Sequence, residues 1–219
     1  MGLGTVIHDV MENAVEIDAD SLWRSVEARW GELEFESEWI GAAEKKRARA
    51  MTESLSAYLT DFVASNSTLL GAESAFELDA APALLRGMID RVEQQADGSV
   101  VIVDLKTGKY APSAPEAEKN PQLGSYQLAL AEGALEAASA DSPRGGAKLL
   151  FVAVSTAKKP YVERSQTAFD GEALAAFRER VQDDARGMAK RVFEARIDEH
   201  CLQRHGGSCR IHVVGEVSQ

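Results

Sequence analysis

The chain has 219 residues, of which 45% are hydrophobic and 27% charged, a balance typical of one soluble globular domain. No apolar run approaches the roughly 20 residues of a membrane span and two cysteines make no disulfide framework, so we expect a cytoplasmic protein without membrane contacts. The net charge of −11 argues against a strong DNA binder, because phosphate binding favours a basic surface.

Helices are predicted for the whole stretch before the first strand. An apolar stripe predicts an amphipathic helix over 3–17, and helices over 20–30 and 37–64 follow it. His8 and Glu12 are four residues apart and therefore share one face of the first helix. Taken alone, His8 is better explained as a half-buried helix residue than as a metal ligand.

The third predicted helix carries a basic cluster, which we interpret as a solvated face, with a path for a DNA strand as the alternative. The cluster consists of Lys45, Lys46, Arg47 and Arg49, with Glu44 beside them. We expect the tryptophans of this region to fill the core between the helices rather than to stack on bases. They are Trp23, Trp30 and Trp39.

A strand is predicted over 69–79, and it carries Glu73, for which an exposed position is the common state. Two apolar, β-branched runs at 84–92 and 100–103 come next. The polar segment 96–98 between them is typical of a hairpin turn, because its glycine can adopt the positive φ that such a turn requires.

The length of this turn decides which charged residues face one another. A three-residue turn with Gly98 left-handed sets Asp90 opposite Asp104, whereas a two-residue turn would set it opposite Leu105. Two carboxylates about 5 Å apart repel, so one must take a proton or a cation must lie between them. Oxygen ligands favour Mg²⁺ or Mn²⁺, and Lys106 shares the face of Asp104.

The second half of the chain continues the mixture of strands and helices. A loop with two prolines is predicted over 107–119. Asn120 and Pro121 then begin a helix that places Gln122 and Tyr126 on one face, near its start. The remaining predicted elements are two strands, over 148–155 and 161–166, and a last helix over 171–196.

Four short motifs follow one another in this order: Gly4-Thr5-x-x-His8, Gly87-x-x-Asp90-Arg91, Asp104-x-Lys106-Thr107-Gly108 and Gln122-Leu123-x-x-Tyr126. Together they resemble the motifs of the RecB-like branch of the PD-(D/E)XK nucleases. The likeness is greatest to the nuclease domains of actinobacterial AdnA/AdnB-type helicase–nucleases. Asp-x-Lys alone would carry no weight, and it is the order of all four motifs that makes the resemblance specific.

The resemblance implies an α/β fold with a restriction-endonuclease-like core, in which helices flank a mixed β-sheet behind an N-terminal helical segment. We expect a single nuclease domain with N-terminal helices at 1–66, an α/β core at 67–197 and a Cys/His-containing tail at 198–219. The implied function is metal-dependent hydrolysis of DNA phosphodiester bonds, as the nuclease domain of a DNA-repair or recombination helicase–nuclease. DNA and a helicase motor, in cis or in trans, are the implied partners.

The resemblance also assigns roles to individual residues. The implied catalytic residues are Asp90, Asp104 and Lys106. The implied ligands of Mg²⁺ or Mn²⁺ are His8, Asp90, Asp104 and the backbone carbonyl of Leu105. The implied contacts to substrate are Gln122, Tyr126, Arg91 and Lys109, and Gln122 and Tyr126 could instead orient Lys106. Glu73 and Glu12 are lower-ranked candidates for the metal site.

The tail gathers three histidines and both cysteines in thirteen residues: His200, Cys201, His205, Cys209 and His212. This spacing could serve zinc, and relatives carry the cysteines of an iron–sulfur cluster here. Such a cluster takes four cysteines, so we expect none in this chain. The alternatives to a nuclease are a catalytically silent DNA-binding module of the same fold and an acidic interaction platform.

Overall fold

The computed structural model describes residues 2–191. The expectations about zinc and about an iron–sulfur cluster concern the tail at 198–219, which lies outside the described residues. Residues 2–191 contain a 3-10 helix at Trp30–Glu32 and six α-helices: α1 (Leu3–Glu12), α2 (Ala19–Ala28), α3 (Glu38–Ala64), α4 (Ala114–Glu118), α5 (Pro121–Ala131) and α6 (Gly171–Met188). Five strands are present: β1 (Thr68–Ala80), β2 (Ala83–Gln94), β3 (Val100–Lys106), β4 (Arg144–Phe151) and β5 (Val162–Gln166).

The five strands form one mixed sheet in the order β1-β2-β3-β4-β5. Neighbouring strands are antiparallel except β3 and β4, which are parallel. A parallel pair needs a crossover connection, and α4 and α5 supply it here. The predicted fold class, a mixed sheet flanked by helices behind an N-terminal helical segment, is confirmed.

Strand β3 is buried on both faces, which explains its continuous apolar run. Val101, Val103 and Leu105 face the N-terminal helices, where they share a core with residues of α1, α2 and α3. Val100 and Ile102 face the opposite way, into a second core that includes residues of α5. The sheet is therefore covered on both sides, and the end of β3 lies between α1 and α5.

The predicted hairpin register is confirmed. Arg91 pairs with Val103, and continuing the same register places Asp90 level with Asp104. The Gln95 N–H donates to the Ser99 carbonyl at 2.8 Å, which closes a three-residue turn. Gly98 in that turn has a φ of 87°.

Several element boundaries differ from the prediction, because local hydrogen bonds override the apolar periodicity. The first helix ends at Glu12 rather than 17, where the Asn13 side chain donates to the Asp9 carbonyl. The predicted loop at 107–119 contains the short helix α4, which begins with a capping box between Ser113 and Glu116. The last helix ends at Met188 rather than 196.

One tryptophan departs from the expected core position. Trp23 and Trp30 pack against the core of the N-terminal helices, as predicted. Trp39 is 74% exposed, so the prediction for it was wrong. It lies in the first turn of α3, beyond the part of that helix that packs on the sheet. Within residues 2–191 no helix is both long and apolar enough to cross a bilayer.

Candidate active site

Asp90 marks the point where β2 and β3 separate. In a regular ladder the Leu105 N–H would bond to the carbonyl of Ile89, the residue opposite it in this register. Instead it donates to Asp90 Oδ2 at 2.6 Å. The Asp90 side chain thus takes the place of a backbone acceptor, which fixes its carboxylate against the end of β3.

His8 reaches Asp90 from the first helix. Val6, Ile7, Val10 and Met11 anchor α1 in the core, and His8 Nδ1 lies 3.3 Å from Asp90 Oδ1. The hydrogen bond to Asp90 raises the pKa of His8, against the opposing effect of burial, and the charges of Asp104 and Glu73 raise it further.

The first helix comes close to the loop after β3, because residue 4 has no side chain. A Cβ at Gly4 would lie 3.0 Å from Thr107 Oγ1. Arg47 of α3 donates to the Thr107 carbonyl and pairs with Glu44. Sequence reasoning gave Arg47 no such role, and it could not have done so, since the two bonded residues lie 60 positions apart.

Glu73 of β1 completes a group with His8 and Asp90. Ala72 pairs with Arg91 and Ser74 with Ile89, so Glu73 is level with Asp90 on the neighbouring strand. One ligand atom from each of Glu73, His8 and Asp90 can be chosen so that all three lie within 4.8 Å of one another. These are side chains that could hold a metal ion.

The surroundings of Glu73 raise the pKa of its carboxyl group. Burial raises the pKa of Glu73, and the charges of Asp90 and Glu12 raise it further, while His8 opposes them. Glu12 itself is exposed. The structure thus brings Glu12 close enough to influence Glu73 but leaves it outside the group of possible ligands.

A hydrogen-bonded network surrounds the second aspartate, Asp104, which is 3% exposed. Its Oδ1 accepts from Gln122 Nε2 at 2.9 Å and from the Tyr126 hydroxyl at 3.0 Å. Lys106 Nζ lies 2.6 Å from Asp104 Oδ2 and donates to Gln122 Oε1 at 3.0 Å. Gln122 therefore connects the lysine to the aspartate.

Asp104 Oδ2 is buried, and the Lys106 ammonium lies 2.6 Å from it as its ion-pair partner. Burial raises the pKa of Asp104; Lys106 opposes this effect, and the charge of Asp90 adds to it. A buried carboxylate oxygen with an unused lone pair is suited to a cation.

Gln122 and Tyr126 lie near the N-terminus of helix α5. The Asn120 side chain accepts from the Gln122 N–H at 2.9 Å and caps the helix. Tyr126 is buried, accepts from Gln122 Nε2 at 2.7 Å and lies 3.2 Å from the Met88 carbonyl. Burial and the charge of Asp104 raise the pKa of Tyr126, so the hydroxyl keeps its proton.

Arg91 lies away from this group, contrary to the expectation that it contacts substrate. Its side chain is buried and paired with Glu93, and its guanidinium lies 4.4 Å from the centre of the Phe62 ring. As the neighbour of Asp90 on one strand, Arg91 points to the other face of the sheet. Lys109, by contrast, is exposed in the loop after β3.

The basic cluster of α3 is largely engaged within the molecule, in line with the interpretation as a solvated face. Lys45 pairs with Glu27 at 2.8 Å, and Arg49 pairs with Asp20 at 2.5 Å. These pairs neutralise the positive charge that a DNA strand would need along this helix.

The fold and the site around Asp90 and Asp104 define a class: an α/β domain that carries carboxylates, a histidine and a lysine where a β-hairpin opens beside a parallel strand pair. The family model of the PD-(D/E)XK nuclease superfamily matches residues 2–214, and the chain belongs to this superfamily. Nucleases of the superfamily are metal-dependent hydrolases. A search of curated proteins found no match.

Proposed function

We propose that the chain is a deoxyribonuclease that hydrolyses DNA phosphodiester bonds with Mg²⁺ or Mn²⁺. The observation that carries the proposal is the convergence of Asp90, Asp104, Lys106 and His8 at one end of the sheet, where the two carboxylates lie level on neighbouring strands. The donor set fits a divalent cation, because carboxylate oxygens and a neutral imidazole are the ligands that such ions take.

In this proposal His8, Asp90, Asp104 and the Leu105 carbonyl hold the cation. The Leu105 peptide is a suitable neighbour, since its N–H already binds the Asp90 carboxylate. When bound, a divalent cation supplies positive charge that stabilises the phosphate in the transition state and lowers the pKa of a water molecule. Before the cation arrives, Lys106 balances the charge of Asp104.

Lys106 orients the attacking water; to take a proton from that water, its ammonium must first release one of its own to solvent. Its ammonium is held from two sides, by Asp104 Oδ2 and by Gln122 Oε1, so its position is restricted before substrate binds. Gln122 is exposed and is placed to contact a phosphate as well. Tyr126 is buried against Asp104 and acts as a positioning residue.

We further propose that the domain works with a helicase motor, in cis or in trans, in DNA repair or recombination, as the likeness to AdnA/AdnB-type enzymes implies. The net charge of −11 and the internal pairing of the α3 cluster support this, because both leave the domain little affinity for DNA of its own. In this proposal the chain is one nuclease domain, with helices at 1–66, the core at 67–197 and the tail at 198–219.

Cleavage of labelled single-stranded DNA at low salt tests the activity. We expect turnover with Mg²⁺ or Mn²⁺, none with chelator, and none with Ca²⁺ although Ca²⁺ binds. Lys106→Ala should retain Mn²⁺ binding, because an ammonium ligates nothing, and should lose on the order of 10²-fold in rate. Cleavage by Lys106→Ala at the wild-type rate would contradict the assigned mechanism.

The same assay separates the proposal from its alternative. A catalytically silent DNA-binding module would bind single-stranded DNA and cleave it with neither metal. Binding without cleavage in wild-type protein loaded with Mn²⁺ would favour that module.

A further inference from the structure

We propose that Glu73 is a direct ligand of the divalent cation, a third carboxylate that lies outside the four motifs; this inference rests on the metal-dependent function proposed above. Two carboxylate oxygens and one imidazole nitrogen, from Glu73, Asp90 and His8, lie within 4.8 Å of one another. Because such ions bind their ligands at about 2.0–2.2 Å, small movements of these side chains would let one ion touch all three.

The Glu73 carboxylate has no other use within the described part of the chain. Between residues 2 and 191 it takes part in no hydrogen bond and no ion pair. Glu77, on the same strand, pairs with Arg86 at 2.8 Å. A half-buried charged carboxylate opposite a second carboxylate is unfavourable unless one of them takes a proton or a cation lies between them.

The backbone of strand β1 has an unusual conformation at Glu73. Glu73 has a φ of 45°, in the left-handed region that favours glycine. The pairs Ala72–Arg91 and Ser74–Ile89 keep one register on either side, so the bend does not shift the strand. The local conformation thus brings the Glu73 carboxylate to Asp90 at a conformational cost that a smaller residue would not incur.

Asp104 does not belong to the group that Glu73 forms with His8 and Asp90. Its Oδ1 accepts from Gln122 and Tyr126, and its Oδ2 pairs with Lys106. Without Glu73 that group would offer a cation two protein ligands. With Glu73 it offers three, and Asp104 approaches from the other side of Asp90.

Binding of Mn²⁺ to the metal-free protein, measured by isothermal titration and by electron paramagnetic resonance of free Mn²⁺, tests this assignment. Glu73→Gln keeps the size of the side chain and removes its charge, and Glu77→Gln is the matched control on the same strand. We expect Glu73→Gln to weaken Mn²⁺ binding at least tenfold and Glu77→Gln to change it less than twofold. Thermal midpoints in chelator should not fall for Glu73→Gln.

A second variant distinguishes the loss of a metal ligand from a folding defect. Glu73→Gly removes the ligand while relieving the positive φ, so its thermal midpoint in chelator should rise and its Mn²⁺ affinity should fall as far as that of Glu73→Gln. Agreement between the two variants would show that the affinity loss comes from the missing carboxylate.

Three outcomes would overturn the inference, and they are distinguishable. If wild type binds Mn²⁺ and Glu73→Gln binds it equally well, Glu73 is no ligand while the proposed function stands. If both Glu73 variants lose thermal stability in chelator along with affinity, the role of Glu73 is structural. If wild-type protein binds no Mn²⁺, the proposed function fails and takes this inference with it.

Discussion

Two clusters of buried charge lie on strands β2 and β3 and their neighbours, one at each end of the hairpin. Near the turn, both oxygens of Glu93 face donors: the Tyr58 hydroxyl lies 2.8 and 2.9 Å away, Arg91 donates to Oε1 and Lys148 Nζ lies 3.9 Å from Oε2. At the open end, Asp104 lies level with a second carboxylate, Asp90, and Lys106 Nζ lies 2.6 Å from Asp104 Oδ2.

The difference shows how a structural carboxylate can be told from a functional one. Both Glu93 and Asp104 are almost fully buried, so burial does not separate them. What separates them is their charged neighbours: Glu93 pairs with Arg91 and Lys148, whereas Asp104 pairs with Lys106 and has a second carboxylate, Asp90, level with it on the next strand. We therefore assign Glu93 to stability and Asp104 to metal binding and catalysis.

The largest expected effect is on activity at the open end. Asp104→Asn keeps the shape of the side chain and removes its charge, so it should abolish tight Mn²⁺ binding and reduce DNA cleavage by on the order of 10³-fold. Its free energy of unfolding in chelator should not fall, because burial disfavours the charge that is removed. Titration calorimetry, a cleavage assay and urea denaturation check these three results; unchanged cleavage would break the comparison.

The next effect is on stability at the turn end. Glu93→Ala leaves Arg91 and Lys148 without their buried partner, so the free energy of unfolding should fall by about 3 kcal/mol. The Mn²⁺ affinity of the fraction that remains folded should match wild type, because Glu93 lies outside the metal-binding group. Urea denaturation together with Mn²⁺ titration measures both quantities, and a loss of metal affinity without a loss of stability would reverse the two assignments.

The smallest effect is a pH dependence of the metal-free protein. Burial raises the pKa of Asp104 above 3.8 in the folded state, so its stabilising contribution is complete below about pH 3.8 and is lost as pH rises through the raised value. His8 acts in the same direction at higher pH, since its folded pKa lies above 6.5. In urea denaturation with chelator, the stability of Asp104→Asn relative to wild type should therefore increase from pH 4 upward; a constant difference would contradict it.

The sequence predicts the hairpin and its charged pair well, because the information is local. The turn at 96–98 contains a glycine where a positive φ is needed, and the turn length alone determines that Asp90 is level with Asp104. The face of Arg91 could also have been predicted: strand alternation points a neighbour of Asp90 away from it. The motif resemblance instead implied that Arg91 contacts substrate.

Other features of the site depend on contacts that no short stretch of sequence contains. The approach of Glu73 to His8 requires the β1–β2 register, the position of α1 and an unusual φ at a residue that is not glycine. The contact of Arg47 with the Thr107 carbonyl requires the packing of α3 against the sheet. The exposure of Trp39 depends on where α3 leaves the core, which apolar periodicity does not reveal.

The central claim is that the open end of the hairpin, and not the Glu93 cluster, binds a divalent cation. Crystals of the protein soaked in Mn²⁺ and measured near the manganese absorption edge test it most directly. We expect an anomalous peak bordered by His8, Asp90 and Asp104, and none at Glu93. Crystals that show no peak at the open end, or a peak at Glu93, would contradict the claim.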